Sequence, residues 1–168
     1  MHLITEAFKM LTHLDKNGNA IMVDVADKSL SAREAEAEGE ISITSKILEA
    51  IKQQTLKKGD LFTVAKIAAI NAAKQTSTFI PLCHQIPLDF IDVKFNVDEK
   101  QLKIKVSAQV KTSYKTGVEM EALMAVNIGL ITIYDMCKAL SKEMVISNIR
   151  LLTKTGGKSG DYKFIRKD

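Results

Sequence analysis

The sequence predicts an α+β fold in which helices cover one face of an antiparallel sheet. Residues 33–44, REAEAEGEISIT, alternate between charged and small or apolar side chains with the period of a strand. Two more alternating stretches, 89–97 and 101–112, are joined by the short segment 98–100, as in a β-hairpin. A long helical pattern, 117–142, follows the hairpin. With two helices after the first strand and a strand at the end, the order β-α-ββ-α-β predicts a split βαβ, or ferredoxin-like, arrangement.

The composition is that of an ordinary globular domain, and it restricts the partners. The chain has 168 residues, of which 46% are hydrophobic and 26% charged, enough for one domain with a complete core. Tryptophan is absent and aromatic residues make up only 5%, which disfavours a surface that stacks on nucleic-acid bases. The net charge of +4 allows an anionic small molecule without requiring a polyanion. We therefore expect no nucleic acid, although a ferredoxin-like RNA-binding module and a ligand-sensing or assembly domain remain alternative hypotheses.

The start of the chain carries no secretory signal pattern. Residues 1–20 lack an apolar core followed by a cleavage site, and we expect them to be a flexible segment with a turn at 15–19. Residues 21–168 are predicted to form a single α+β domain. No stretch approaches about 18 uninterrupted apolar residues, so no membrane span is expected. Cys83 and Cys137 fit no CxxC pair, which favours a reducing, cytoplasmic compartment.

The elements after the first strand are predicted from caps, breaks and prolines. A helix opens at Thr44 and is ended by the polar segment 57–60, KKGD. Asp60 can cap a second helix, whose alanine content favours close packing. Pro81 and Pro87, the only prolines in the chain, then flank a rigid irregular turn.

The remaining segments are extended or loop-like. Residues 21–25 alternate enough for a short extended segment, and 144–152 are predicted as the last strand. One side of the first strand, which we expect to be a solvated face, carries Glu34, Glu36, Glu38 and Glu40. Residues 155–160, TGGKSG, resemble the end of a P-loop, but the earlier glycine of that motif is missing. We expect a basic loop in which Lys154 and Lys158 close on an anion.

The long helix carries its few charges mainly on one stripe. At about 100° per residue, that stripe consists of Glu121, Met124, Ile128, Ile131, Asp135 and Lys138. Ala122, Ala125 and Gly129 lie on another side and suit a close approach to a sheet. A helix that is apolar nearly all round is covered on more than one face, by the same chain or by a second subunit. Charges on a covered face are costly unless they are paired or used, so the charged members of the stripe are the first candidates for chemistry.

The two carboxylates of this stripe cannot act on one atom as a pair. Glu121 and Asp135 are 14 residues apart, or about 21 Å along a helix. Either they bracket a long ligand, or each completes a site with residues of a neighbouring chain. Asp135 and Lys138, three residues apart, can act together, although the same spacing also fits a surface ion pair. Glu119 fits a capping box with Thr116, which favours Glu121 over Glu119 as a ligand-binding group.

Cys83 and His84 lie inside the proline-flanked turn. A lone histidine is often structural, but a rigid turn also holds a ligand-binding group well. Adjacent residues rarely reach one metal ion, and no second Cys/His pair stands at zinc spacing. We therefore predict no metal site.

Six segments together resemble one protein family. They are MVDVADK (22–28), KKGD (57–60), IPLCHQIPL (80–88), TGVEMEAL (116–123), IYDMCKA (133–139) and LLTKTGGKSGD (151–161). In this order, and over nearly the whole chain, they resemble the molybdenum-cofactor biosynthesis protein C family, the cyclic pyranopterin monophosphate synthases. One departure is Gln85, which follows His84 where the family usually has proline.

The resemblance implies a fold, an assembly and a reaction. The catalytic subunit would be ferredoxin-like and would assemble as a homohexamer, a trimer of dimers, with the active site at a subunit interface. The reaction would convert a triphosphate, 3′,8-cyclo-7,8-dihydro-GTP, to cyclic pyranopterin monophosphate and diphosphate. No cofactor is implied. The upstream radical enzyme that makes this substrate is a candidate partner.

The resemblance also implies residue roles. Asp135 and Lys138 would be catalytic. The implied substrate-binding residues are Leu82, Cys83, His84, Met120, Glu121, Lys58, Lys154 and Arg33. Cationic side chains suit a triphosphate, because loss of diphosphate requires neutralisation of the leaving group. A carboxylate beside a lysine suits the proton transfers that ring opening and closure require.

Overall fold

The computed structural model of the protein describes residues 13–158 and 160–165. The elements in chain order are β1 (Ser31–Ser42), α1 (Ser45–Lys52), α2 (Leu61–Lys74), α3 (Thr76–Phe79), β2 (Phe90–Asp98), β3 (Lys103–Tyr114), α4 (Glu119–Cys137), β4 (Ile146–Thr155) and β5 (Tyr162–Lys163). The strands form one sheet of order β2-β3-β1-β4-β5, and every pairing in it is antiparallel. The predicted α+β, ferredoxin-like class is confirmed.

The long helix α4 packs across the centre of the sheet. It contacts β1, β3 and β4, while α2 packs against both α4 and β2. Under the helix, Ala35, Ala37 and Ile41 of β1 are fully buried. A Cβ atom added at Gly129 of α4 would meet the side chains of Val106 in β3 at 3.4 Å and of Ala69 in α2 at 3.5 Å, so the helix packs closely there. The predicted close approach of the small side of α4 is confirmed, and it fixes the position of both helix ends relative to the sheet.

The glutamate side of β1 differs from its prediction. We expected a solvated face, but these carboxylates are partly buried among cations of the neighbouring strands. Glu40 pairs with Lys103 at 2.6 Å, and Glu38 pairs with Lys105 at 3.3 Å. The side chains of Glu38 and Glu40 are only 12% and 16% exposed. The expectation is wrong because the long lysine side chains of β3 reach across the sheet to the carboxylates.

Several boundaries also differ from the predictions. Helix α4 ends at Cys137 rather than at residue 142, and β4 is shifted toward the C-terminus of the predicted strand. Residues 21–25 form no strand. The capping box is wrong, because the N-cap of α4 is Val118 and no side chain caps it. The two shortest elements, α3 and β5, were not predicted.

The N-terminal residues are described only in part. Residues 1–12 of the predicted flexible segment lie outside the described residues. In the predicted turn, the Asp15 carboxylate accepts hydrogen bonds from the backbone N–H groups of Asn17 and Asn19, both at 2.8 Å. The division of the chain at residue 20 stays a prediction.

Helix α4 is also long and apolar enough to cross a membrane, by length and composition alone. Half of its most apolar 18-residue stretch is buried inside the subunit, and the core helix of a globular domain can be equally long and apolar. This is weak support for a membrane span.

Candidate active site

The C-terminal end of α4 gathers one carboxylate and two lysines. Lys138 Nζ lies 2.7 Å from Asp135 Oδ1, and Lys58 Nζ lies 2.6 Å from Asp135 Oδ2. Lys58 also donates to the backbone carbonyl oxygen of Asp135 at 3.0 Å. We call these three residues the carboxylate–lysine cluster. Both carboxylate oxygens are engaged, while about half of each side chain remains open to solvent.

The two lysines keep Asp135 ionised. The hydrogen bonds from Lys138 and then from Lys58 lower the pKa of the Asp135 carboxyl to about 2. In return, the hydrogen bond and charge of Asp135 raise the pKa of Lys138 above its ordinary value. At neutral pH the Asp135 carboxyl is therefore ionised and Lys138 is an ammonium group, which the raised pKa makes a weaker acid than a free lysine.

The N-terminal end of α4 opens into a cavity of about 300 Å³, which we call the basic pocket. Five cationic side chains and two carboxylates line it. They are Lys28, Arg33, Lys115, Lys154, Lys158, Glu34 and Glu119. Gly117 and the start of the helix complete the wall. A cavity with this excess of positive charge suits an anion, and the positive end of the α4 dipole adds to the field.

Arg33 carries an unused donor in this pocket. The residue is only 9% exposed. Within the described part of the chain, its Nε has no hydrogen-bond partner. A buried donor without a partner is costly, and an anion that reached it would offset that cost.

The glycine-rich tail loop reaches the pocket because Gly156 allows it. Gly156 has φ +84°, and a Cβ atom there would overlap the carbonyl oxygen of Ala32 at the start of β1. Only glycine permits this close contact. It brings Lys154 and Lys158 beside Arg33, as the predicted basic loop requires.

Glu119 lies in the pocket rather than in a capping box. Its carboxylate folds over Gly117 and pairs with Lys154 at 3.4 Å. The attraction of the lysine explains why this glutamate does not cap the helix. Sequence reasoning set Glu119 aside as structural, whereas the structure places it among the groups that an anion would meet.

Glu121 is held in dry surroundings one turn into α4. It is 3% exposed, and burial raises the pKa of its carboxyl to about 7, with a further contribution from the charge of Glu119. Cys83 lies close enough for the charge of Glu121 to act on it. Burial first, and then that charge, raise the pKa of the Cys83 thiol.

The proline-flanked turn is irregular, as predicted, and forms no strand. Leu82, Cys83 and His84 are all half-buried in it. One ring nitrogen of His84, Nε2, lies 2.8 Å from the carbonyl oxygen of Val23. This contact ties the turn to the segment that carries Lys28, which itself lines the basic pocket.

Comparison with known proteins identifies the family. A model of the MoaC family matches residues 22–157. The chain belongs to the MoaC family. It is 52% identical over 153 residues to the cyclic pyranopterin monophosphate synthase of Thermoanaerobacter sp. (strain X514), which covers 91% of this chain and 97% of that relative.

Two further relatives support the assignment. The cyclic pyranopterin monophosphate synthase of Heliobacterium modesticaldum is 49% identical over 152 residues, which are 90% of this chain and 96% of that protein. The molybdenum cofactor biosynthesis protein moc-5 of Caenorhabditis elegans is 52% identical over 150 residues, which are 89% of this chain. The chain spans only 25% of the Caenorhabditis protein, so that relative is much longer.

The site residues predicted from the MoaC resemblance fall into two groups. Arg33 and Lys154 line the basic pocket, with Met120 and Glu121 in the adjoining first turns of α4 and Cys83 beside Glu121. Lys58 instead joins Asp135 and Lys138, the pair predicted to be catalytic. The helix separates the groups by about 21 Å, so one subunit does not bring them together.

Some pocket residues of this MoaC chain were missed from sequence. Lys28 and Lys115 line the pocket, and Lys115 also donates to the carbonyl oxygen of Ala26 at 2.6 Å. The signal that could have found Lys28 is its place inside the matched segment 22–28. Across residues 13–158 and 160–165, no three His, Cys, Asp or Glu side chains converge as metal ligands would.

Proposed function

We propose that this chain is a cyclic pyranopterin monophosphate synthase that converts 3′,8-cyclo-7,8-dihydro-GTP to cyclic pyranopterin monophosphate and diphosphate. The observation that carries the proposal is the placement of a lysine-bound Asp135 and a cation-lined pocket at the two ends of one helix. The chain that holds them is about half identical, over nine tenths of its length, to bacterial enzymes of that name.

The basic pocket would bind the triphosphate of the substrate. Arg33 offers a buried unused donor, and Lys154 lies beside it in the same cavity. When the cyclic phosphate forms, an oxygen of the substrate attacks the innermost phosphorus and diphosphate leaves. Cations at the leaving group stabilise the charge that develops on it.

The carboxylate–lysine cluster would move the protons of ring opening and closure. The pKa of Asp135 near 2 makes it a poor base at neutral pH. Asp135 is then the group that holds the Lys138 ammonium charged and oriented. Because its pKa is raised, this ammonium is a weaker acid than a free lysine and would donate its proton only to a strongly basic atom of the substrate. Lys58, on the other carboxylate oxygen, then belongs to the same machinery rather than to a separate binding site.

A second subunit would bring the two groups of residues together. Ile131 and Met120, on the outer side of α4, are 51% and 37% exposed in the subunit. Antiparallel packing of two α4 helices about Ile128, the midpoint of the stripe, would place Asp135 of one chain opposite Glu121 of the other. The exposed apolar side chains would be covered in the same step. The homohexamer, a trimer of dimers, extends this pairing.

The direct test is turnover. The purified protein is incubated with 3′,8-cyclo-7,8-dihydro-GTP, and diphosphate and the pterin product are measured. We expect both in equal amounts. A folded protein that binds the compound without releasing diphosphate would overturn the proposed activity.

The shared site has its own test. Asp135→Ala subunits and Arg33→Ala subunits, each expected to be inactive, are exchanged into mixed assemblies. Random pairing restores one intact site in half of the dimers, or about a quarter of the wild-type activity. No recovery after demonstrated subunit exchange would show that both residues serve one site within a chain.

Two further proposals concern the setting of the enzyme. We expect it in the cytoplasm, where the upstream radical enzyme would supply its substrate. Direct handover between the two predicts that a trap for free intermediate leaves coupled product formation unchanged. Complete interception of the intermediate by the trap would contradict handover.

A further inference from the structure

The connection between α1 and α2 has a defined backbone. Residues 53–60, which we call the Lys58 turn, include two positive φ angles, 53° at Gln54 and 94° at Gly59. The Thr55 N–H donates to the Ala50 carbonyl oxygen at 3.0 Å, and the Gly59 N–H donates to Leu56 at 3.1 Å. One hydrogen bond therefore closes the backbone before Lys58, and the other closes a turn that contains it.

The turn is also anchored to the helix that packs on α4. The Asp60 carboxylate accepts a hydrogen bond from the Thr63 N–H at 3.0 Å, which caps α2. Because α2 packs along α4, the cap fixes the turn relative to the end of α4. Lys58 leaves the turn two residues before this anchor, and its ammonium reaches both a carboxylate oxygen and the backbone oxygen of Asp135.

We propose that the Lys58 turn is a positioning element, in which Gly59 and the Asp60 cap hold Lys58 on Asp135 so that the carboxylate keeps two cationic partners. Gly59 touches no reacting group and acts through Lys58. The competing description is a mobile surface lysine, because the Lys58 side chain is 45% exposed. Exposed lysine pairs often contribute little, and their geometry is then independent of the preceding backbone.

Gly59 is a clean probe of this difference. A Cβ atom there would meet nothing within 4 Å, so Gly59→Ala disturbs only the positive φ angle. Asparagine tolerates positive φ better than alanine does, so Gly59→Asn should restore the turn. Gly18 supplies the matched control. Like Gly59 it has a positive φ angle, 83°, and a Cβ atom there would meet nothing within 4 Å. It lies in the N-terminal turn, away from α4.

The first measurement does not depend on activity. The carboxyl carbon of Asp135, assigned with Asp135→Asn, is followed by NMR from pH 7 down to the onset of acid unfolding. In the wild type we expect a flat signal, since two lysines lower the pKa of this carboxyl to about 2. Lys58→Met should bring the onset of titration to higher pH, because only Lys138 remains. Gly59→Ala should shift it in the same direction, and Gly59→Asn and Gly18→Ala should not.

The double variant decides whether Gly59 acts through Lys58. If it does, adding Gly59→Ala to Lys58→Met produces no further shift in the Asp135 titration. A flat wild-type-like signal in Gly59→Ala, or full additivity in the double variant, would overturn the positioning role.

A second measurement links the turn to catalysis, and this part rests on the proposed function. We expect Gly59→Ala to lower kcat by about tenfold with KM within about twofold, and Gly59→Asn to recover most of the loss. Unchanged kcat with a shifted titration would confine the role of the turn to electrostatics and overturn its catalytic part. If the wild type shows no turnover at all, the proposed activity fails while the titration result still stands.

Discussion

The two ends of α4 place carboxylates in opposite environments. At the N-terminal end, burial without an ion-pair partner raises the pKa of Glu121 to about 7. At the C-terminal end, two lysines lower the pKa of Asp135 to about 2. Both residues lie on one stripe of one helix, but their surroundings differ. The difference arises from burial at the first end and from the two paired lysines, Lys58 and Lys138, at the second.

The contrast separates two tasks along one element. The solvent-exposed end keeps Asp135 ionised over the physiological pH range, so that its carboxylate can hold the Lys138 ammonium in place. The buried end stores a carboxyl that gains or loses a proton near neutrality, next to a pocket for anions. Variants that remove a charged group at one end of α4 or the other test this difference between the two ends.

The largest effect is expected from Asp135→Asn. The change removes the charge that holds Lys58 and Lys138, so we expect turnover to fall by roughly 10²–10⁴-fold, the range typical of a lost acid–base group. The measurement is diphosphate release at saturating substrate. Glu99→Gln is the matched control, because Glu99 pairs with Lys52 at the same 2.6 Å on an exposed surface. A comparable loss in the control variant would contradict a specific role for the cluster.

Glu121→Gln tests the buried end through stability. The folded-state pKa of about 7 lies above the ordinary 4.5, so this group stabilises the fold below pH 4.5 and loses that contribution as pH rises through 7. Relative to the wild type, the glutamine variant should gain up to about 3 kcal/mol between pH 5 and pH 8. Chemical denaturation at both pH values measures it. Glu49→Gln, on the exposed side of α1, should show no such gain; a pH-independent difference for Glu121→Gln would refute the burial effect.

Arg33→Met tests anion binding in the basic pocket at the N-terminal end of α4. Removing a buried charged donor should weaken binding of inorganic diphosphate by about 2 kcal/mol, roughly 30-fold. Titration calorimetry measures the affinity. Arg150→Met is the control, since the Nε of Arg150 is likewise buried without a partner but lies outside the basic pocket. Equal weakening in both variants would point to general loss of positive charge instead.

The smallest effect is expected from Glu119→Gln. Its carboxylate competes with an anion for Lys154, so its removal should strengthen diphosphate binding about threefold, an effect typical of a partly exposed pair. The same calorimetric titration applies. Glu34→Gln provides a comparison with another carboxylate that lines the pocket. Weaker binding in Glu119→Gln would mean that the carboxylate orients Lys154 toward the ligand.

Local patterns predicted much of the fold. The strand β1, the hairpin and the apolar helix α4 are all present. They could be predicted because an element that is buried on one face repeats its apolar side chains at a regular spacing along the sequence. The stripe on α4 also selected Glu121, Asp135 and Lys138. Helix geometry alone predicted that Glu121 and Asp135 cannot act on one atom, and both lie in one continuous helix in the structure.

Long-range contacts were beyond local patterns. One partner of Asp135, Lys58, comes from 77 residues earlier in the chain, and no local pattern indicates that pairing. The cations that pair with the β1 glutamates lie on other strands. The sequence of β1 alone therefore predicted a solvated face instead of these ion pairs. Glu119 matched a capping box by spacing, but Lys154, contributed by β4, attracts its carboxylate instead.

The central place of β1 in the sheet has a consequence for the order of folding. This first strand has β3 and β4 as neighbours, and Ser31 pairs with Tyr114. The β2–β3 hairpin can close early because its ends are near in sequence, whereas β1 must wait for strands made much later. Arg33 and Lys154 meet only when β4 joins β1. A nascent chain that ends before β4 therefore lacks part of the basic pocket, which would be among the last features of the subunit to form.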